Sequence, residues 1–324
     1  MQNFEHVPVM SNEIKQLAQS CTAQGVMIDA TLGGGGHTKI LLDIRNQENL
    51  IAFDRDINAI KNAETLSNAY TNRLEIIHSG FDQIGNEIRK RNLEGKVSIV
   101  LFDLGVSSHQ LDIKERGFTY RHDDAPLDMR MDSSEELTAS IIVNEYEEAE
   151  IARILKQNGD EKFAKQIAKS IVESRPIENA GQLVDAIRKA MPNKFQRLVH
   201  PAKRTFQALR IEVNKELDQL KVALDESVHL LAPGGRVLVL SYHSGEDKIA
   251  KDIFKKYMTT NPTTKDGRVI PLTGEVEGYE SNVRLIKIPI NKKPTQSEIN
   301  DNPRSKSARL RAVELTNFDQ ASGM

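Results

Sequence analysis

The sequence predicts an α/β fold built on a mainly parallel sheet, and three observations carry that expectation. Between residues 26 and 110, short apolar runs alternate with helical patterns. The first two runs are joined through the glycine-rich loop Thr31-Leu-Gly-Gly-Gly-Gly-His37. An acid closes three of the runs: Asp29, Asp54 and Asp103. Such alternation places helices on both faces of a parallel sheet and gathers ligands at the carboxyl ends of its strands.

In order along the chain, the runs Val26 to Ala30, Leu50 to Asp54, Leu74 to His78 and Val97 to Leu104 read as strands. Thr38 to Arg45 and Ile57 to Tyr70 read as intervening helices. The rhythm returns late in the chain. A helix is expected from Phe206 to Leu231, a turn at Pro233-Gly-Gly235, and a strand over Arg236 to Ser241 leading into Tyr242-His-Ser244.

Between these halves the pattern is wholly helical. Thr138 to Tyr146, Glu147 to Lys156, Glu161 to Arg175 and Asn179 to Met191 carry apolar residues at three- and four-residue spacings. The expected organisation is therefore a sheet domain from 1–132 together with 206–324, and a helical insertion over 133–205 that would hang over the active edge. The insertion is expected to bind substrate, because its end carries Lys194, Arg197, His200, Lys203, Arg204 and Arg210. A second basic group, Lys292, Lys293, Arg304, Lys306, Arg309 and Arg311, lies near the end of the chain. Lys292 to Asn302 reads as an extended surface segment.

Composition bounds the function. In 324 residues, 46 acids against 44 lysines and arginines give a net charge of −2, so a nucleic-acid partner would have to be met by the local basic groups. A lone Cys21 excludes an internal disulfide framework and suits a reducing compartment. No secretory pattern opens the chain, and no apolar run approaches the roughly 20 residues that span a bilayer. Cytoplasm is the expected location.

The glycine loop narrows the ligand. Without Cβ atoms its backbone can turn sharply and let a ligand lie against it, and Asp54 at the neighbouring strand end can accept both hydroxyls of a ribose. A dinucleotide fingerprint begun at Gly33 would need glycine or alanine where Thr38 stands, and no Gly-Lys-Ser/Thr ending offers a triphosphate cradle. Those absences point to S-adenosyl-L-methionine, whose adenosine needs the acid and whose amino-acid tail needs backbone groups near the turn.

Asp103 ends a strand beside the expected methyl donor and can pair with its cationic parts or hold an acceptor N–H. The segment Arg116 to Asp132 has too little periodicity for a helix or strand and reads as a long functional loop. His243 follows the late strand. It can accept a proton or serve as a hydrogen-bonded structural residue. His37 is expected to support the glycine turn and the start of its helix, and no metal-ligand spacing stands out.

Several ordered motifs carry a resemblance. They are His6-Val-Pro-Val9, Asp29-Ala-Thr-Leu-Gly-Gly-Gly-Gly-His37, Asp54-Arg-Asp56, Asp103-Leu-Gly-Val-Ser-Ser-His-Gln-Leu-Asp112, Arg116-Gly-Phe118, Pro126-Leu-Asp-Met-Arg-Met-Asp132, Arg204-Thr-Phe-Gln-Ala-Leu-Arg210 and Asn302-Pro-Arg-Ser-Lys-Ser-Ala-Arg309. From His6 to about Arg311 the chain resembles the RsmH (MraW) family of bacterial rRNA methyltransferases. The resemblance implies a Rossmann-like class I methyltransferase sheet with an all-helical insertion for RNA recognition. It also implies methylation of the N4 amine of a cytidine in the decoding region of 16S rRNA, on naked rRNA or on the small ribosomal subunit. The oligomeric state is left open between monomer and homodimer.

By the same resemblance Gly35, Gly36, His37, Asp54, Phe81, Asp103 and Gln110 would contact the cofactor. Asp103, then His243, are the candidate proton acceptors. Two motifs depart from the family pattern. Ser241-Tyr-His-Ser-Gly-Glu-Asp-Lys248 stands for Ser-Phe-His-Ser-Leu-Glu-Asp-Arg, and Ala125 replaces a glycine before Pro126. The rival expectations are another methyl acceptor (DNA, protein or a small molecule), a non-enzymatic ribosome-assembly factor, and, disfavoured by Thr38, a nicotinamide dehydrogenase.

Overall fold

The computed structural model describes residues 8–192, 194, 200–258 and 284–316. They fall into two compact units, one from the chain up to Gly105 and from Gln219 onward, the other Val106–Asp218.

The first unit holds a seven-stranded sheet. Its strands are Val26–Asp29 (β1), Leu50–Asp54 (β2), Leu74–His78 (β3), Val97–Asp103 (β4), Leu231–Ser241 (β5), Leu285–Lys287 (β6) and Arg309–Leu315 (β7). Their spatial order is β3-β2-β1-β4-β5-β7-β6. The pairs from β3 through β5 are parallel and β7 is antiparallel to both neighbours. This is the expected Rossmann-like class I methyltransferase sheet. Its order reverses between β1 and β4, where a crevice opens beyond the strand ends in sheets of this kind.

Alternation along the strands divides the core into two layers. Ile28, Phe53, Val100, Phe102 and Val239 face one layer, with Ile84, Leu224 and Phe254 from the covering helices. Met27, Ala52, Leu101, Leu238 and Leu310 face the other, covered by Ile14, Leu17, Leu41 and Leu42. Both faces are dry, so β1, β2 and β4 read as nearly continuous apolar runs.

The second unit is helical. Ala139–Glu145, Glu148–Gly159, Ala164–Glu173, Ala180–Ala190 and Ala202–Asn214 surround one apolar core. Thr138 and Asn179 start two of these helices by accepting the N–H groups of Ile141 and Gln182. The compact unit is wider than the expected 133–205 insertion for a physical reason. Phe118, Ala125, Leu127 and Met129, from the long loop, and Phe206, Leu209 and Val213, from the Ala202–Asn214 helix, bury themselves in the same core. The loop is pinned at Gly117, whose φ is +71° and where a Cβ would meet the Pro126 carbonyl oxygen at 2.4 Å. Ala125 is fully buried, so its methyl group fills core space.

Three expectations are corrected. The helix over Phe206 to Leu231 is two helices, Ala202–Asn214 and Glu216–Leu230, broken at Lys215 with φ +51°. β5 then begins at Leu231 and carries Pro233-Gly-Gly235 within the strand as an irregularity in its pairing with β4. The segment 292–302 is not simply extended, because Thr295 accepts the Glu298 N–H and starts a short helix, Gln296–Asp301. His6, Val7 and Arg197 lie outside the described residues.

Candidate active site

The loop after β1 turns through two left-handed glycines, Gly33 at φ +49° and Gly35 at φ +73°. A Cβ on Gly35 would come within 2.7 Å of Leu66 Cδ2, whereas one on Gly34 would meet nothing within 4 Å. The turn is therefore packed on one side and open on the other. Helix Gly36–Ile44 follows at once, with His37 and Thr38 buried in its first turn. Asp29 anchors the loop from below. It is fully buried, and its oxygens accept the Thr31 N–H at 3.0 Å and the Thr38 hydroxyl at 2.6 Å. Burial raises its pKa despite those donors.

Asp54 stands at the end of β2, facing the same turn. One oxygen accepts the Gly33 N–H at 2.8 Å and the other the Asp56 N–H at 2.8 Å. Burial pushes its carboxyl up to about 6, with the nearby acids Asp56 and Asp29 adding to the rise and the two amides opposing it. Phe81 opens the short turn after β3, and its half-buried ring meets Phe102 edge-on at 5.9 Å.

Asp103, at the end of β4, is the hub. Its N–H donates to Thr31 Oγ1 at 2.7 Å, which ties the strand end to the glycine loop. Its carboxylate lies 3.2 Å from His37 Nδ1 and accepts the Tyr242 hydroxyl at 2.7 Å, while a side-chain exposure of 27% keeps it within reach of a substrate. The other nitrogen of His37, Nε2, is 2.9 Å from the Val9 carbonyl. Both ring nitrogens thus face acceptors, an arrangement that suits an imidazolium donating twice. Burial works against that charge, but Asp103, Asp29 and the Val9 carbonyl outweigh it and raise the His37 pKa.

His243 is the N-cap of helix Ser244–Tyr257. Its Nδ1 accepts the Gly245 N–H at 3.2 Å, and its Nε2 lies 3.0 Å from Glu246 Oε1. Glu246 Oε2 in turn accepts the backbone N–H groups of Tyr242 and His243, at 2.7 and 3.2 Å. The two residues form a capping box, so the cap itself occupies His243. Arg311 fixes the same helix to β7 through two bonds of 2.8 Å to Asp247, while Lys248 is exposed.

Asp29, His37, Asp54, Asp103 and Tyr242 are thus linked, directly or through the glycine turn, at the carboxyl edge of the sheet. Gln110 belongs to the helical unit, where its side-chain carbonyl accepts the Ser107 N–H at 3.0 Å in a second capping box. The sequence reading missed Tyr242 as a partner of Asp103, and no motif rule would have found it. It also missed Asn214, which accepts the Met131 N–H and donates to the Met129 carbonyl, both at 2.7 Å, and so holds the long loop.

A concave surface at the opposite, amino-terminal edge includes Arg45, Glu48, Arg73, Glu75 and Arg91. Arg45 binds the Cys21 carbonyl and Glu48, Arg73 binds the carbonyls of Leu42 and Arg45, and Arg91 binds Glu75 and Glu87. These cations lace the scaffold together. Among the described residues, no group of three or more His, Cys, Asp or Glu is arranged to hold a metal ion, and no helix is long and apolar enough to cross a membrane.

Comparison with known proteins matches residues 3–316 to the model of the MraW methylase family. The chain is 42% identical to the ribosomal RNA small subunit methyltransferase H of Lactobacillus delbrueckii subsp. bulgaricus, covering 96% of this chain and 99% of that one. It is 45% identical to the protein of that name from Clostridium botulinum, covering 95% and 98%. Among solved structures, an rRNA methylase from Streptococcus thermophilus aligns with a TM-score of 0.37 at 13% identity, over 94% of each chain. A putative methyltransferase from Streptococcus mutans in complex with SAH aligns at 0.35 and 15%, over 95% of this chain and 98% of that one. With the family model matched over residues 3–316 and relatives of that name at 42–45% identity along nearly the whole chain, the chain belongs to the MraW methylase family.

Proposed function

We propose that the protein transfers the methyl group of S-adenosylmethionine to the N4 amine of a cytidine in the decoding region of 16S rRNA. The family makes it an S-adenosylmethionine-dependent rRNA methyltransferase of the small ribosomal subunit. The cytidine nitrogen is the finer step. It rests on the family resemblance, and the structure supports it in one respect: the partly exposed Asp103 stands beside the open glycine turn and the ribose-type acid Asp54, where the strand order reverses, so a carboxylate is available to hold an acceptor N–H.

The residues fit the cofactor. Asp54 would accept the ribose hydroxyls, the Gly35-Gly36-His37 backbone would line the turn, and Phe81 would cover the adenine face. Gln110 enters the cofactor set by family resemblance alone. Bound there, S-adenosylmethionine supplies an electrophilic methyl group on a sulfonium.

The exocyclic amine is a poor nucleophile because its lone pair is delocalised into the ring. The site must hold its N–H groups and bring nitrogen in line with the methyl group. We assign that holding role to Asp103. As the N–C bond forms and the S–C bond breaks, nitrogen becomes cationic and its proton acidic, so a carboxylate already holding two donors suffices to take it. His243 would have to leave its cap to do the same, which places it second. The target base must be unpaired or flipped. Exposed Lys203 and Arg204 in the helical unit, and Lys292, Lys293, Lys306 and Arg309 in the sheet unit, are the proposed phosphate contacts. The cytoplasm, where the small subunit resides, is the proposed location.

The test is mass spectrometry of the decoding-region fragment of 16S rRNA from cells with and without the gene. N4-methylation should vanish without it, return with the wild-type gene and stay absent with Asp103→Asn. Identical fragments from both strains would overturn the proposal, and a labelled methyl group found only in DNA, protein or a small molecule would redirect it.

A further inference from the structure

Tyr242 directly follows the last residue of β5, and its ring is fixed on several sides. Its N–H donates to Glu246 Oε2 at 2.7 Å, and Gly105 lies so close that a Cβ there would sit 3.6 Å from the Tyr242 Cδ2. The ring packs against the apolar layer that contains Leu240 and Leu310. Its hydroxyl then donates to Asp103 Oδ1 at 2.7 Å, on the oxygen opposite the one that His37 approaches. From this geometry we infer that Tyr242 is a positioning residue for the reaction, which clamps the Asp103 carboxylate against rotation.

An ionised carboxylate offers about four acceptor positions on its two oxygens. His37 and Tyr242 take one on each, so the plane of the group is fixed while each oxygen keeps capacity for a substrate N–H. The phenol is a durable donor. Burial, then Asp103, Glu246 and Glu298, raise its pKa well above the usual value, so it stays protonated wherever the enzyme works. A Phe ring could fill the same space without supplying the bond.

The inference rests on Asp103 facing the acceptor amine, and the experiment keeps the two apart. Rates of Tyr242→Phe and wild type are compared on whichever acceptor the wild type methylates. The variant should fall about tenfold in kcat, the effect of losing one hydrogen bond to a charged group, with KM for the acceptor and Kd for the cofactor within about twofold. In an Asp103→Asn background the same substitution should change the residual single-turnover rate by less than about twofold. An unchanged kcat, a loss that falls on KM in place of kcat, or a lowered melting temperature as the sole effect would overturn the inference. So would an equal loss in the Asp103→Asn background.

Discussion

In the sheet unit, Asp29, Asp54, Asp103 and His37 crowd one strand edge, and burial raises the pKa values of Asp29 and Asp54. In the helical unit, buried polar groups are spent on structure: Ser170 binds the Ala186 carbonyl, Asn214 holds the Met129–Met131 backbone, and Arg210 pairs with Glu216. The difference separates two uses of burial. A carboxylate enclosed beside other carboxylates costs stability and is kept where a ligand will repay it. A buried amide or ion pair with every partner in place costs little and fixes a loop.

The largest effect should come from the strand edge. Asp103→Asn removes the charge but keeps the shape, and should lower methyl transfer by about a thousandfold or more while leaving the melting temperature nearly unchanged. Stopped single-turnover assays and calorimetry read the two quantities. A loss of activity that tracks a loss of folded protein would break the contrast. The helical core should behave in the opposite sense. Leu155→Ala, at a fully buried position, should cost about 2–5 kcal/mol in denaturant unfolding, yet leave cofactor affinity within about twofold. Equal losses of stability and cofactor binding would show that the units do not divide the work.

Asp54→Asn should sharpen the contrast, because one substitution changes the pH dependence of stability and the affinity for the cofactor separately. The Asp54 pKa rises from 3.8 to about 6 on folding, so its favourable contribution is complete below pH 3.8 and is lost as pH climbs through about 6. Near neutral pH the charged carboxyl therefore costs stability, by at most about 3 kcal/mol and less because it still meets solvent. Removing the charge favours the variant at pH about 8, whereas its amide nitrogen, set against one of the two backbone N–H donors, opposes that gain; relative to wild type, its melting temperature should fall as pH drops below about 6. Cofactor Kd should rise about ten- to a hundredfold in calorimetry, the loss expected when a charged acceptor of two hydroxyls becomes an amide. For wild type, affinity should weaken as acidification protonates Asp54.

How much of this could be read from the chain differs between the units. The strands and their parallel character were legible in the apolar runs and strand-end acids, because parallel strands buried on both faces write themselves as unbroken apolar segments, whereas the strand order was not. Thr38 was legible only as an absence, the residue that breaks a dinucleotide fingerprint. Its positive role, the 2.6 Å bond to Asp29, needs the three-dimensional turn. Tyr242 and Asp103 are far apart in sequence and join only through β4–β5 pairing, which no local pattern announces. The long loop was recognised as irregular, yet its membership of the helical core was hidden. Phe118, Leu127 and Met129 follow no period, since Met129 at φ +61° and Gly117 shape the backbone. The split at Lys215 was missed because helical periodicity runs through it on both sides.

The smallest expected effects address which unit touches the RNA backbone. Lys203 in the helical unit and Lys306 in the sheet unit are both exposed, unlike Arg210 and Arg311, which bind carboxylates within their own units. A lysine that neutralises one phosphate of single-stranded RNA releases a counterion. Its loss should flatten the slope of log K against log salt by about 0.7 and weaken binding a few-fold at moderate ionic strength. Lys203→Gln and Lys306→Gln, measured separately on small subunits by filter binding across a salt series, should each show that change. If only Lys203→Gln does, RNA affinity belongs to the helical unit and the sheet unit supplies the chemistry alone. If only Lys306→Gln does, the basic segment before β7 serves both ends of the reaction. The helical unit would then act through shape, because a saturated apolar core can present a rigid surface without contributing charge.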